Sequence, residues 1–248
     1  SFTDIINSIV LFISVRVGSK SADKEHPFGH YRSEPIGALI VAVLTTVLGF
    51  EVIRIAINRL LAKISPNFSI PMLLMLLTII IVKSLMYFYT KVAWKKTKST
   101  ALFAFMIDHR NDVLIAFGAI IGFIGSNFNL AFLDPLVAIL IGLWIIKQGF
   151  GIGVSNIKFL MGEAPKKELL EKIKNVASKV EGIKGVQEVK AHYVGTLVEV
   201  EVHIRVDRDI TIYRAHALGR KVEKEVEKLE DVEKAFVHID PIIKSRQH

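Results

Sequence analysis

Two carboxylates stand one helical turn apart in an otherwise apolar stretch, for Asp108 and Asp112 lie in FMIDHRNDVLIAF. A spacing of four residues puts both on one face of a helix. A charge buried in an apolar medium without a partner is costly, so a pair of carboxylates there asks for a cation. Arg110 or a frayed helix end would make the pair structural, whereas a metal ion would make it a site. Arg110 points about 200° around the helix from Asp108, which counts against the structural pairing. Asp4 is a third carboxylate of the same kind, with Asn7 one turn later. A divalent ion needs donors converging from different elements, and Asp4, Asp108 and Asp112 would supply hard oxygens from two helices.

Two further groups have metal-ligand chemistry. The segment SADKEHPFGHYRSE holds Asp23, His26 and His30. Histidines four apart beside an acid have usable spacing, but Pro27 and Gly29 break the helix that would fix them, and ordinary loop histidines fit equally. Near the C-terminus stand His192, His203, His216, His238 and Asp240. His238 and Asp240 are separated by the strand period and project from one face. A metal-sensing site and a scatter of surface histidines both remain open. The chain has no cysteine, so disulfides and thiolate sites are excluded and any metal must rely on His, Asp and Glu. Glu51 and Arg54 read as a pair one turn apart, and Lys83 as a side chain that snorkels; none of the three is given a transport role. Asp134 before Pro135 reads as an N-cap signal.

The elements that must position these residues fall into two classes. Of the 248 residues, 51% are hydrophobic and 23% charged, but the apolar ones concentrate in roughly the first 160. A bilayer core of about 30 Å needs about 20 apolar residues in a helix. Five segments approach or reach that length: Ser1 to Val17, Pro35 to Leu61, Ile70 to Trp94, Thr100 to Gly125 and Leu130 to Ile152. The first is a turn short, and a sixth span upstream of Ser1 would complete an even-numbered bundle. The formal charge of +8 and pI near 9.5 would suit nucleic acid in a soluble chain. Here the basic excess lies between apolar runs, where membrane topology explains it and nucleic acid is not expected. Arg16, Lys20, Lys24 and Arg32 fill one loop and Lys95, Lys96 and Lys98 another, while the connection from Ser126 to Pro135 holds none. Arg59 and Lys63 oppose this signal weakly. The balance predicts a multi-pass protein of the cell's inner membrane with its charged C-terminal part in the cytoplasm.

Beyond Pro165 the periodicity changes. Lys166 to Val180 carries a helical apolar stripe, Val186 to Tyr193 and Leu197 to Val206 alternate as strands around Gly195, Thr211 to Leu229 returns to helical spacing, and Lys234 to Ile239 is a last strand. The second strand places Val198, Val200, Val202, Ile204 and Val206 on one face, with Glu199, Glu201, His203 and Arg205 on the other. The order αββαβ predicts a ferredoxin-like α+β domain. The expected division is a transmembrane bundle over 1–160 and a cytosolic domain over 161–248.

SFTDIINS, HPFGHYRSE, DHRNDVL, LDPLVAILIG and VHIDP, in this order, resemble segments of the cation diffusion facilitator family of metal transporters. The resemblance covers almost the whole chain and implies a six-helix α-helical bundle, five helices of it visible here, with a C-terminal cytosolic domain. It implies a homodimer in a lipid bilayer that exports a divalent transition metal, usually in exchange for protons. It implies no catalytic cofactor, only the transported ion, manganese or zinc. In the family the central site takes two ligands from each of two helices; the matching positions are Asp4, Asp108 and Asp112, the fourth preceding Ser1. Zinc members often have His where Asp108 stands and manganese members tend to have Asp, which leans toward manganese. Asp23, His26 and His30 match a peripheral loop site, and His203, His216, His238 and Asp240 match positions at the family's cytosolic dimer interface, where Gln187 replaces a further His. Arg32 matches a basic interlock residue, with Glu163 as candidate partner. Two rival readings are a membrane-anchored metal sensor without transport and an intramembrane aspartyl enzyme. Neither a GxGD-like nor an HExxH arrangement occurs, so no enzyme is expected.

Overall fold

The computed structural model describes residues 2–62, 69–128, 130 and 132–242; Lys63 lies outside the described residues. The chain divides into two compact units, Ser1–Ile157 and Lys158–His248. The first holds five long helices: α1 (Phe2–Gly18), α2 (Ser33–Ala62), α3 (Ile70–Thr97), α4 (Thr100–Asn127) and α5 (Leu133–Leu160). By length and apolarity alone α2, α3 and α5 can cross a bilayer. Helix α4 is as long as α3 but carries the charged run around Asp108, and α1 has 17 residues. The expected last span stopped at Ile152, whereas α5 runs on through Gly151 and Gly153 to Leu160. It ends where Gly162 takes φ +77, with the amide of Glu163 donating to the Lys158 carbonyl at 3.0 Å. A left-handed glycine just past a helix end satisfies the otherwise orphaned last carbonyls.

Helix α3 is apolar on nearly every side, and Leu74, Ile81, Leu85, Phe88 and Val92 are all exposed. A helix hydrophobic all round has lipid, not water, as its natural surroundings. Its inward face is narrow: Leu76 and Thr90 are buried, and Lys83 lies midway between them at seven-residue spacing. Helices α2 and α5 meet through small residues instead. A Cβ added to Gly49 would stand 2.9 Å from the Gly142 carbonyl, and one added to Gly142 would stand 2.9 Å from the Gly49 carbonyl. Ala42 opposes Gly149 in the same seam one heptad away. Lipid tails are as apolar as leucine, so spans associate by such close backbone approach rather than by a hydrophobic driving force.

The second unit is built by ordinary hydrophobic burial. It comprises α6 (Lys167–Ser178), β1 (Gly185–Val194), β2 (Leu197–Val206), α7 (Ile212–Val226) and β3 (Val232–Pro241). The sheet order is β1-β2-β3, with β1 antiparallel and β3 parallel to the central β2. Val198, Val200, Val202, Ile204 and Val206 alternate into a core shared with Ile173 and Ala177 of α6, Val222 and Val226 of α7 and Ala235 of β3. The αββαβ ferredoxin-like reading holds, each boundary shifting by at most three residues. Because the helices cover one face only, the opposite face, with Glu201, His203, Arg205, Phe236 and His238, is left open.

Candidate metal centre

Inside the bundle, charged and polar side chains converge from three helices. Lys83 of α3 puts its ammonium 3.1 Å from Asp4 Oδ2 of α1 and 2.5 Å from Asp112 Oδ2 of α4. Asn7, one turn beyond Asp4, donates from Nδ2 to Asp108 Oδ1 at 3.2 Å, and both groups are buried. Asp4, Asp108 and Asp112 are thus all engaged in one region, the first from α1 and the others from α4. The second oxygen of Asp108 is buried without a hydrogen-bond partner among the described residues. His109, which the spacing argument passed over, brings a ring nitrogen within 4.8 Å of ligand atoms of both Asp108 and Asp112. It is buried, and neither nitrogen has a hydrogen-bond partner among the described residues. Arg110 turns away, as expected, and stacks its guanidinium 5.7 Å from the Trp144 ring centre.

Outside the bundle, two smaller clusters form. Asp23 Oδ1 accepts from the amides of Glu25 and His26 at 2.9 and 2.7 Å, a local turn of the kind aspartate makes with its own backbone. Its other oxygen is 3.4 Å from His30 Nε2, and the rings of His26 and His30 stand 4.3 Å apart. The His26 amide holds the Asp23 carboxyl below the usual carboxylate range. On the open sheet face, strand register sets His203 beside His238 with ring centres 4.7 Å apart. Asp240 reaches both, at 3.5 Å from His203 Nδ1 and 3.2 Å from His238 Nε2. Each cluster has three ligand atoms within 4.8 Å of one another. His216 is exposed on α7 and is not one of the three. Gln187 accepts from Arg205 Nε at 3.0 Å, His192 faces Glu199 at 3.6 Å, and Glu163 pairs with Lys158 at 3.3 Å.

The chain matches the cation efflux transmembrane domain over residues 1–161 and the cytoplasmic domain of cation efflux proteins over 165–242. It belongs to the cation efflux, or cation diffusion facilitator, family. It is 33% identical over 240 residues to an uncharacterized transporter of Methanocaldococcus jannaschii, covering 97% of this chain and 85% of that one. It is 29% identical over 243 residues to the manganese efflux system protein MneS of Bacillus subtilis, covering 97% of this chain and 82% of that one. A solved structure, MamM-CTD 215-293, is 27% identical and covers 31% of this chain and 98% of its own, with a TM-score of 0.30. The chain is therefore a membrane transporter that exports metal cations, not an enzyme, and its C-terminal domain is cytoplasmic.

In this cation efflux protein two residues behave otherwise than their types and spacing led one to expect. Lys83 does not snorkel; its side chain is only 18% exposed and pairs inward with two carboxylates. Its depth was the available signal, since 13 residues from Ile70 at about 1.5 Å each leave it some 20 Å from the helix start. Asp134 is not an N-cap. It lies inside the first turn of α5, buried, and accepts from Arg59 of α2 at 3.3 Å beside a cavity of about 240 Å³ lined by Val52, Ile115 and Ile141. That partner is 75 residues away, beyond the reach of a local signal. Glu51 and Arg54 do pair, through two bonds of 2.5 and 2.8 Å.

Proposed function

We propose that the chain exchanges a divalent cation for protons by alternating access, prefers manganese to zinc, iron and cobalt, and uses Asp4, Asp108 and Asp112 as transport ligands. What supports the reading is the gathering of carboxylates from α1 and α4 at one intramembrane cation, Lys83. Carboxylate oxygens suit harder ions such as manganese, and imidazole suits zinc; the relative named for manganese efflux points the same way. An ion arriving from the cytoplasm meets the carboxylates, the bundle rocks, and protonation removes the charges that held it, so a proton gradient drives release. The chain acts as a homodimer in the bilayer, joined through the cytosolic domain. Asp23, His26 and His30, and His203, His238 and Asp240 with His216 nearby in sequence, bind metal outside the bundle. Metal there shifts the dimer toward a transport-ready state to the extent that it binds that state better.

A second reading has one observation behind it. His109 would add a nitrogen donor beside Asp108 and Asp112, which moves the set toward zinc. Vesicles containing the protein, loaded with a metal-sensitive and a pH-sensitive dye, test both. Mn²⁺ flux with counterflow of protons, lost in Asp108→Ala and Asp112→Ala, is expected. Undiminished flux in both variants ends the carrier-site reading, flux without proton counterflow ends the antiport, and preference for Zn²⁺ in competition favours the second reading.

A further inference from the structure

Lys83 stands where an ion would stand. Its ammonium touches a carboxylate oxygen from each of two helices. At 2.5 Å from Asp112 Oδ2 it fills the space a divalent metal would take at about 2.0 to 2.2 Å from the same oxygen. The side chain comes from α3, which supplies no carboxylate, so it is neither a ligand nor part of the scaffold that carries one.

We infer that Lys83 is the resident cation of the unloaded transport site, compensating Asp4 and Asp112 until a dication displaces its ammonium, and thereby acting as a built-in competitor for metal. The inference rests on the carboxylate site proposed above and adds a residue that sets its affinity. Carboxylates clustered in an apolar bundle cannot be left uncompensated between transport cycles. Protons taken up as the ion leaves neutralise part of that charge, and what they leave needs a cation close by. A tethered ammonium does the work without leaving. Lysine suits displacement because its charge is compact and its four-carbon stem flexible, so the head can withdraw without moving α3. An ion that must be released cannot be held too tightly, and an internal competitor weakens binding without removing a ligand.

The test uses the full chain in detergent for binding and in vesicles for flux, at one fixed pH, with Mn²⁺ as probe. Lys83→Met keeps the length and removes the charge. It is expected to bind Mn²⁺ about tenfold more tightly and to turn over more slowly, so that KM and kcat fall together. Lys83→Arg keeps the charge but forks onto carboxylates in two bonds that are harder to displace, and is expected to bind Mn²⁺ at least about threefold more weakly. A purely structural ion pair would lower the melting temperature of Lys83→Met and leave its Mn²⁺ affinity unchanged or weakened; that result overturns the inference. Should Lys83→Met not fold, unchanged affinity in Lys83→Arg overturns it as well. Asp112→Asn separates the two levels of argument. If it binds and transports like wild type, the carboxylate site itself is wrong; if it loses binding while the Lys83 variants bind like wild type, only the competitor role is wrong.

Discussion

Asp108, His109 and Asp112 inside the bundle and His203, His238 and Asp240 on the sheet face are two ways of presenting three ligand atoms within 4.8 Å. Asp108 is 4% exposed and His238 is mostly open to solvent. In the bundle each of these three carboxylates is engaged by a residue from another helix, Asp4 and Asp112 by Lys83 and Asp108 by Asn7. On the sheet, adjacent strands fix His203 beside His238 by register, and His238 is open to solvent. Burial makes the first site a place where charge must be exchanged for charge. Exposure would let the second, if it binds metal as proposed, fill and empty according to ion concentration, which suits sensing more than passage.

The sharpest way to break this contrast is to remove one carboxylate. Asp112→Ala deprives Lys83 of its nearest partner and the proposed site of a carboxylate. Metal flux into vesicles is expected to fall by at least about 100-fold, beyond the usual effect of merely removing a ligand's supporting partner. A fall of less than about threefold would put the buried cluster on a par with the exposed one.

The two regions also differ in what holds them. Gly142→Leu drives a side chain into the Gly49 carbonyl, which already stands 2.9 Å from a mere Cβ. Separation of α2 from α5 is expected, at a cost at or above the about 1 to 3 kcal/mol typical of overpacking. In the soluble unit the comparable injury is Ile204→Ala, which empties a fully buried position and is expected to cost about 2 to 5 kcal/mol. Thermal unfolding of the purified full-length protein reads both. Tolerance of leucine at 142 would show that backbone proximity is not what joins these spans.

Much of this was legible in the residues, and the exceptions share a cause. The alternation of β2 is local, so Val198 to Val206 could be assigned to a face one by one. The long helices follow from apolar length, and Asp4, Asp108 and Asp112 stood out because charge in a span is costly. Lys83 was misread because its type was weighed and its depth was not. Asp134 was misread because its partner Arg59 lies on another helix. His109 escaped because a residue one step along a helix points about 100° away, and the i,i+4 argument discards it. His216 matches by motif, yet the chain alone does not bring it into the cluster of His203, His238 and Asp240. Long-range partners and side-chain depth are properties of the assembled bundle, which periodicity in one segment does not carry.

Donor chemistry gives a finer version of the same comparison. Asp108→His would bring into the bundle the kind of donor that the sheet cluster presents. Competition flux between Mn²⁺ and Zn²⁺ is expected to shift toward Zn²⁺ by about tenfold, corresponding to about 1.4 kcal/mol of changed preference. An unaltered ratio would mean that selectivity is set elsewhere, with His109 as the first residue to examine.

The smallest effect is expected where water already does the work. His238→Ala removes one of two neighbouring imidazoles and leaves Asp240 with His203 alone. Because both groups sit on one exposed sheet face, their loss neither empties a core position nor strands a buried charge, and the fold should stand within about 0.5 kcal/mol. Metal binding at this cluster should weaken by about 10- to 100-fold, seen by titration of the full chain as the loss of its corresponding phase. Flux at saturating metal should change by less than about threefold, since a site that only biases two states shifts an equilibrium by no more than its differential affinity. If flux instead collapsed as in Asp112→Ala, the sheet cluster would lie on the ion's path, and the separation between passage and sensing drawn from burial would fail.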